Sequence, residues 1–220
     1  MLPGANNVYQ CPACSKPILQ WTLASANGIG ARYFSDGRVK APYFAEMVRI
    51  TECENCSTIF WLDQEIKIDE FEDDDFKDED VRKSAYYREH GLWADSLGKE
   101  SLVRAIQEKV FRNPREEVYL RKKLLWKLNE AWLEKEKPWE EGDEVLLQEN
   151  TINLIQVLDQ SSQKDLLLMA ELHRNLGDFD ACMDILDRVT DPNLLELAYA
   201  IFKRCERGER EVFELKGGWL

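Results

Sequence analysis

The chain has 220 residues, of which 44% are hydrophobic and 32% are charged, and its formal net charge is −13. These proportions are typical of a globular protein, and no run of about 18 apolar residues predicts a membrane-spanning helix. Because phosphate contacts dominate the affinity for nucleic acids, the acidic balance argues against a general nucleic-acid binder.

The N-terminal segment carries no recognisable targeting signal. Residues 1–7 have neither the charged nor the apolar region of a signal peptide. We therefore expect a cytoplasmic protein without a membrane segment. In such a protein, closely spaced cysteines indicate metal or redox chemistry rather than structural disulfides.

Four of the six cysteines form two CxxC pairs. Cys11 and Cys14 form the first pair, and Cys53 and Cys56 form the second after 38 intervening residues. Two residues between cysteines allow both thiolates of one tight turn to point at a single ion. Two such turns facing each other supply the tetrahedral four-sulfur shell that zinc prefers. The sequence therefore predicts a structural zinc site at these four residues.

Short strands and turns are predicted around the two pairs. Asp36-Gly37 is a hairpin turn signal, because glycine readily adopts positive φ. We expect the long insert between the pairs to form a hairpin that brings the two turns together. The predicted strands lie at residues 21–23, 31–34, 47–51 and 58–62.

The first sixty or so residues resemble a zinc ribbon, which implies a small β-rich metal-binding domain. A rubredoxin-like iron site is the main alternative for the metal, because it uses the same paired turns surrounded by aromatic residues. Rubredoxin-like proteins place glycine after each pair, whereas Ser15 and Ser57 stand there. We therefore favour zinc. The nearby aromatic residues are Tyr33, Phe34, Tyr43, Phe44, Phe60 and Trp61.

No other residues indicate a catalytic metal. Catalytic zinc keeps one coordination position open and uses histidine or carboxylate ligands. The two histidines, His90 and His173, both lie in the part of the chain that is predicted to be helical. Neither has a recognisable nucleophile motif nearby, so we expect no enzymatic activity.

An acidic run separates the two parts of the chain. Residues 69–80 contain nine acidic side chains and one lysine, and such a run cannot pack densely against itself. We interpret it as a linker. The expected domains are a zinc-ribbon-like domain at 1–68, the linker at 69–80 and a helical domain at 81–220, which makes the fold class α+β.

Helical periodicity begins after residue 81. Asn113-Pro114 is a helix start signal, and Val118, Leu125, Leu128 and Trp132 share one face of the helix that follows. Pro138 is expected to end it. Further helices are predicted at 145–158, about 165–176, about 178–188 and from Asp191-Pro192 to near Gly208; Ile152, Ile155 and Leu158 are core candidates of the first of these.

Residues 166–186 resemble one tetratricopeptide unit. The resemblance rests on the small Ala170 in the first helix, Leu-Gly-Asp-Phe at the turn, and the small Cys182 in the second helix. It implies two closely packed helices, with Cys182 as a small packed residue. Cys205, outside this segment, is expected to be either similar or partly exposed. Such units need about three repeats to be stable alone, so the neighbouring helices must complete the domain. The combination of this hairpin with an N-terminal CxxC…CxxC module also resembles a group of bacterial proteins, but the likeness implies no particular activity.

The leading functional hypothesis is a non-enzymatic adaptor that binds a protein partner and is folded around zinc. A zinc-ribbon nucleic-acid or transcription-associated factor is the alternative, because the basic segment 81–137 contains Tyr119, Trp126 and Trp132, followed by Trp139. We favour the interpretation in which Trp132 lies in the core and the lysines cover the solvent-facing side of the helix. A rubredoxin-like electron carrier is the third hypothesis. The sequence leaves two roles open for the tail at 217–220 with its apolar end, packing onto the helices or docking of a partner.

Overall fold

The strands and helices confirm the α+β class. The computed structural model describes residues 2–42, 46–72, 78–133 and 139–215, with only the backbone described at 64 and 78–80. The expectations for Tyr43, Phe44, Pro138, the middle of the acidic run and the tail therefore lie outside the described residues. In the part of the chain that the structure describes, no helix is long and apolar enough to cross a membrane.

Eleven short strands are distributed along the described chain. They are β1 (Leu2–Pro3), β2 (Asn6–Gln10), β3 (Pro17–Gln20), β4 (Leu23–Ser25), β5 (Arg32–Phe34), β6 (Val39–Lys40), β7 (Ile50–Glu52), β8 (Ile59–Trp61), β9 (Asp69–Phe71), β10 (Leu92–Trp93) and β11 (Glu214–Leu215). The helices are α1 (Asp78–His90), α2 (Lys99–Gln107), α3 (Pro114–Leu128), α4 (Glu130–Leu133), α5 (Asp143–Val157), α6 (Gln163–Leu176), α7 (Phe179–Leu186) and α8 (Leu195–Cys205), with a 3-10 turn at Leu62–Gln64.

The chain divides into two units whose bounds differ from the expected domains. One unit comprises residues 1–30 and 41–110, and the other comprises residues 31–40 and 111–220. Thus α1 and α2 group with the cysteine-bearing strands, whereas the hairpin at 31–40 groups with the later helices. The hairpin was expected to bring the cysteine turns together, and that expectation is wrong.

The first unit is built on a four-stranded sheet in the order β10-β3-β2-β9. β2 is antiparallel to β3 and β9, and β10 is parallel to β3. β7 and β8 form a separate antiparallel pair. Buried Val8, Leu19 and Phe71 form one core cluster, and Ile18, Phe60 and Leu62 pack with two of the cysteines in another.

The acidic run is partly regular structure, in contrast to the expected linker. Its first residues form β9, and its last residues begin α1. Phe71 is 1% exposed and stacks on Tyr87, with ring centroids 5.7 Å apart. The Asp69 carboxylate accepts hydrogen bonds from the Lys83 ammonium at 3.0 Å and from the Tyr87 hydroxyl at 2.9 Å. These partners offset the repulsion that the sequence pattern alone predicts.

The second unit combines helices with a three-stranded sheet in the order β11-β5-β6. Gly37 has φ 77° in the turn between β5 and β6, as the Asp36-Gly37 signal predicted. The Asp36 carboxyl is buried and accepts a hydrogen bond from the Asn129 amide at 2.8 Å. Burial raises the pKa of Asp36. This carboxyl therefore attaches the hairpin to the residue that follows α3.

Local signals predicted most helix starts in this unit. Asn113 Oδ1 accepts a hydrogen bond from Glu116 N–H at 3.0 Å, and Asp178 Oδ1 accepts one from Ala181 N–H at 3.2 Å. The exception is the last helix, which begins at Leu195 rather than at Asp191-Pro192. Asp191 Oδ1 instead accepts a hydrogen bond from Asn193 N–H at 3.0 Å, which forms a local turn before the helix.

One predicted core position on α5 is wrong. Ile152 is 43% exposed, whereas Asn150 and Thr151 are buried beside Leu154. Asn150 Nδ2 donates to the Arg121 carbonyl at 2.9 Å, so this polar face of α5 contacts α3. Leu158, another expected core residue, is buried.

Candidate metal centre

The two CxxC pairs form matching turns. The first pair follows the end of β2, and the second pair follows the end of β7. In the first turn, Ser15 N–H donates to the Cys11 carbonyl at 2.9 Å, and in the second, Ser57 N–H donates to the Cys53 carbonyl at 2.7 Å. The next strand then pairs back, so each turn joins two antiparallel strands.

The structure brings together all four cysteines that the sequence predicted as ligands. Cys11 Sγ lies 3.6 Å from Cys56 Sγ, and Cys14 Sγ lies 3.7 Å from Cys53 Sγ. All four sulfurs lie within 4.8 Å of one another. Four sulfurs at about 2.3 Å from a tetrahedral zinc ion would be about 3.8 Å apart, so little adjustment is needed. The cluster can therefore hold a metal ion.

Ser15 and Ser57 adopt the conformation that glycine favours. Both have φ 60°, in the left-handed region, and each follows the last cysteine of its turn. The sequence interpretation took the missing glycines as evidence against iron. Since the backbone takes the same path with serine, these two residues do not discriminate between the metals.

Each turn supplies one buried and one more accessible sulfur. Cys11 and Cys53 are 1% and 0% exposed, whereas Cys14 is half-buried and Cys56 is exposed. Burial raises the pKa of Cys11, and it raises the pKa of Cys53 to about 12.

Hydrogen bonds lower the pKa values of the two more accessible thiols. The backbone N–H of Lys16 lowers the pKa of Cys14 to about 6, with a further contribution from the Asn55 side chain. The Thr58 hydroxyl, 3.3 Å from Cys56 Sγ, and then the Thr58 N–H lower the pKa of Cys56. Because a metal binds thiolates, these donors favour the ligand form of the accessible pair.

The composition of the cluster indicates a structural rather than a catalytic centre. Among the described residues, the cluster consists of four cysteines, with no histidine or carboxylate. His90 instead contacts the Tyr86 carbonyl at 2.9 Å at the end of α1, and His173 contacts Asp178 at 3.2 Å in the other unit. Four sulfur ligands close a tetrahedral shell and leave no position for substrate.

A pocket lies beside the second cysteine turn, and the sequence analysis missed it. Its volume is about 390 Å³, and its walls come from β7, the turn itself, the segment after β10 and the start of α2. The chemically distinctive lining residues are Glu52, Glu54, Ser57, Trp93, Asp95 and Ser101. No local motif marks this pocket, because its lining residues are separated by up to about fifty positions and meet only in the fold.

A contact between the two remaining cysteines was likewise not predicted from the sequence. Cys182 in α7 was expected to be a small packed residue, and Cys205 at the end of α8 was expected to be either similar or partly exposed. Both are buried, and their sulfurs lie 2.9 Å apart. The two residues are 23 positions apart, and no spacing motif links them.

The predicted helical hairpin is present as α6 and α7. Ala170 and Cys182 are both 0% exposed, and Gly177 has φ 84° where α6 ends. These positions agree with the closely packed helix pair that the sequence predicted. Comparison with protein families, with curated proteins and with solved structures finds no match for this chain. The zinc-ribbon, tetratricopeptide and bacterial resemblances therefore stay predictions.

Proposed function

We propose that this protein is a non-enzymatic interaction module whose first unit is held together by a structural zinc ion. The observation that carries the metal assignment is the approach of four sulfurs to within 4.8 Å of one another. Zinc is preferred because it accepts a tetrahedral four-sulfur shell without a redox change or an added ligand. The adaptor role is supported by the closed ligand set and by the adjoining pocket.

Zinc would join the β2–β3 and β7–β8 strand pairs. Cys11 begins the turn between β2 and β3, and Cys53 begins the turn between β7 and β8. Both cysteines pack in one cluster with Ile18, Phe60 and Leu62. Coordination would therefore stabilise this part of the core, as expected of a structural site.

The pocket beside the zinc turn is the surface that we assign to a partner. Trp93 lies on its wall and is 46% exposed, which offers an indole face for contact. Three carboxylates, those of Glu52, Glu54 and Asp95, also lie on the lining. An aromatic face beside carboxylates is suited to a lysine or arginine side chain. The proposed occupant is therefore a basic segment of another protein.

The Glu52 carboxylate is already engaged by two side chains of α2. It accepts a hydrogen bond from the Ser101 hydroxyl at 2.6 Å and pairs with Arg104 at 2.8 Å. The Ser101 hydroxyl, followed by Arg104, lowers the pKa of Glu52. Because Arg104 pairs with Glu52, the acidic character of the pocket comes mainly from Glu54 and Asp95.

The basic-aromatic segment gives less support to a nucleic-acid role. The ammonium groups of Lys122 and Lys123 lie 5.4 Å and 5.1 Å from the Trp126 ring centroid. Trp126 Nε1 also donates to the Asp36 carbonyl at 3.1 Å. The ring is thus already engaged by its own chain, whereas a stacking platform presents a free face to a base.

Metal content tests the first half of the proposal. Elemental analysis of the purified, tag-free protein, together with its absorption spectrum, should show one zinc per chain and no visible band. The variant Cys53→Ser should lose the zinc, and Cys182→Ala, a matched change in the other unit, should retain it. Iron with visible charge-transfer bands would replace the proposal with a rubredoxin-like carrier.

Peptide binding tests the second half. Fluorescence anisotropy should show that a labelled lysine- and arginine-rich peptide binds the zinc-loaded protein, and that an acidic peptide of equal length does not. The double variant Glu54→Gln with Asp95→Asn should weaken binding by about 5-fold or more. The control Asp180→Asn with Glu196→Gln removes the same charge from exposed sites on α7 and α8. Equal losses in both variants would remove the pocket from the proposal.

A further inference from the structure

Cys182 and Cys205 form a buried pair across two helices. Cys182 lies in α7 and is 0% exposed, and Cys205 is the last residue of α8 and is 5% exposed. Their sulfurs are 2.9 Å apart. This separation is shorter than the 3.6 Å between Cys11 and Cys56, which share the candidate metal centre. Metal binding does not explain the pair, because the cluster of four cysteines does not include it.

We propose that Cys182 and Cys205 form a reversible disulfide when the protein meets a peroxide. Only a small movement is needed, because both side chains already point at each other within one apolar cluster. The bond would join α7 to the C-terminal end of α8. This inference does not depend on zinc or on the adaptor role.

The chemistry balances with hydrogen peroxide as the oxidant. The Cys205 thiolate attacks one peroxide oxygen and breaks the O–O bond, which gives a sulfenic acid and releases hydroxide. The Cys182 sulfur then attacks the sulfenic sulfur, and the displaced hydroxyl leaves with a proton as water. Overall, two thiols and one peroxide give one disulfide and two water molecules.

The surroundings distinguish the two sulfurs. The Cys205 thiol donates to Cys182 Sγ at 2.9 Å, and the hydrogen-bonded contact with the Cys182 side chain lowers the pKa of Cys205. The buried Arg174 guanidinium adds in the same direction, although burial and the Glu171 carboxylate oppose it. Cys205 is therefore the better nucleophile. The apolar neighbours, among them Leu166, favour small oxidants over bulky disulfides.

The bond would act on the segment that follows α8. Arg174 donates to the carbonyls of Glu209 and Glu211, and the Asn175 amide donates to the Arg210 carbonyl at 2.7 Å. This segment leads into β11, which pairs with β5. Oxidation would anchor the start of the segment covalently and lower its freedom to detach.

Peptide mapping of the full-length, zinc-loaded protein tests the proposal. After peroxide treatment under native conditions and alkylation of free thiols, trypsin releases residues 175–188 and 205–207. We expect these two peptides to be joined in the wild type and separated again by dithiothreitol. Neither Cys182→Ala nor Cys205→Ala should give the joined species, and each substitution places a small residue in the cluster.

Thermal unfolding supplies the second measurement. The oxidised wild type should melt ~5 °C or more above the reduced form, because the cross-link restricts the unfolded chain. Neither single variant should show this rise. Recovery of both peptides as separately alkylated thiols would overturn the proposal, as would irreversible oxidation of Cys205 without linkage. Mapping the CxxC peptides in the same digest distinguishes oxidation of the four candidate metal ligands from oxidation of the Cys182–Cys205 pair.

Discussion

At the scale of single residues, two of the three described non-glycine residues with positive φ, Ser15 and Ser57, complete the cysteine turns, and the third is Lys109 at φ 54°. Ser15 is exposed and has φ 60°, a region in which a Cβ atom is unfavourable. Its N–H closes the turn on the Cys11 carbonyl at 2.9 Å. The turn thus keeps a strained residue because its hydrogen bonds and neighbouring sulfurs depend on that backbone path.

Two substitutions of Ser15 should distinguish the effect of backbone conformation on stability from the effect of side-chain contacts. Ser15→Gly should leave the stability of the zinc-loaded protein unchanged or raise it by up to ~1 kcal/mol, because glycine tolerates positive φ. Ser15→Val should lower it by ~1–2 kcal/mol, because a branched side chain opposes that conformation. Urea unfolding measures both. Ser25→Val, at an exposed position in β4, is the control and should be nearly neutral; an equal loss there would contradict the explanation.

Asp69 gives a second prediction at this scale, concerning pH. Burial opposes ionisation of its carboxyl, but the Lys83 ammonium and the Tyr87 hydroxyl outweigh burial and lower the pKa of Asp69. The pKa of Tyr87 is raised to about 12, mainly by burial and then by the hydrogen bond to Asp69. A carboxyl whose pKa is lower in the folded state stabilises the fold above its unfolded pKa.

The Asp69 contribution should therefore be present at neutral pH and disappear as pH falls through the folded-state pKa. Asp69→Asn should cost about 1 kcal/mol at pH 7 and should flatten the loss of stability below about pH 4. Lys83→Gln should reduce the acid dependence in the same direction, because it removes a partner. Chemical unfolding across pH 3–7 measures this, and an unchanged profile in Asp69→Asn would assign the acid sensitivity elsewhere.

At the scale of elements, a buried ion pair attaches the β5–β6 hairpin to α6. Glu171 and Arg174 have fully buried side chains, and Arg174 Nε donates to Glu171 Oε2 at 2.8 Å. The Ser35 hydroxyl, in the hairpin, donates to Glu171 Oε1 at 2.6 Å. Buried charges are stable only when they are paired and hydrogen-bonded, so this contact specifies where the hairpin packs.

Removal of one member of that pair should be costly. Glu171→Ala should destabilise the second unit by ~3–5 kcal/mol, because the Arg174 guanidinium would remain buried without its carboxylate. The exposed pair Lys203–Glu206 has a similar spacing and a distance of 2.8 Å. Glu206→Ala is therefore the matched control and should cost less than ~1 kcal/mol. Similar losses in both variants, measured by thermal unfolding, would contradict this account.

The amphipathic pattern and the local capping signals predicted where helices form. They did not predict which face of a helix would be buried. The N-cap residue Asn113 was identifiable because a cap contacts an N–H group only three residues away. Ile152 was misplaced because α5 turns a polar face, with Asn150, towards α3. Hydrophobicity alone does not anticipate a buried amide that finds a backbone carbonyl on another helix.

At the scale of the whole molecule, the metal centre belongs to one unit only. All four cysteines lie within residues 1–30 and 41–110, whereas the buried ion pair and the Cys182–Cys205 contact lie in the other unit. The stabilising interactions of the two units are thus of different kinds. Metal coordination by the four cysteines would stabilise the first unit, whereas helix packing and a buried polar network stabilise the second.

Metal removal should therefore act locally. Hydrogen–deuterium exchange of chelator-treated protein should be faster in β2–β3 and β7–β8, because the two turns lose their shared ligand. Exchange in α6 and α7 should be unchanged within about 2-fold. Restoration of zinc should reverse the effect. Equal acceleration in both units, or no change in the cysteine-bearing strands, would contradict a structural role for the ion confined to the first unit.

The sequence by itself determined the local features: the cysteine turns, the Asp36-Gly37 hairpin, the capped helices and the α+β class. Each depends on residues a few positions apart, and short-range geometry limits their conformations. Only the tertiary structure decided that the hairpin at 31–40 joins the helical unit, that Asp69–Phe71 becomes a strand, and that Cys182 meets Cys205. These outcomes depend on partners far apart in the chain, such as Ser35 with Glu171 or Asp69 with Tyr87. No local pattern encodes such pairings, because the free energy of burying each group is set by the residue that it meets.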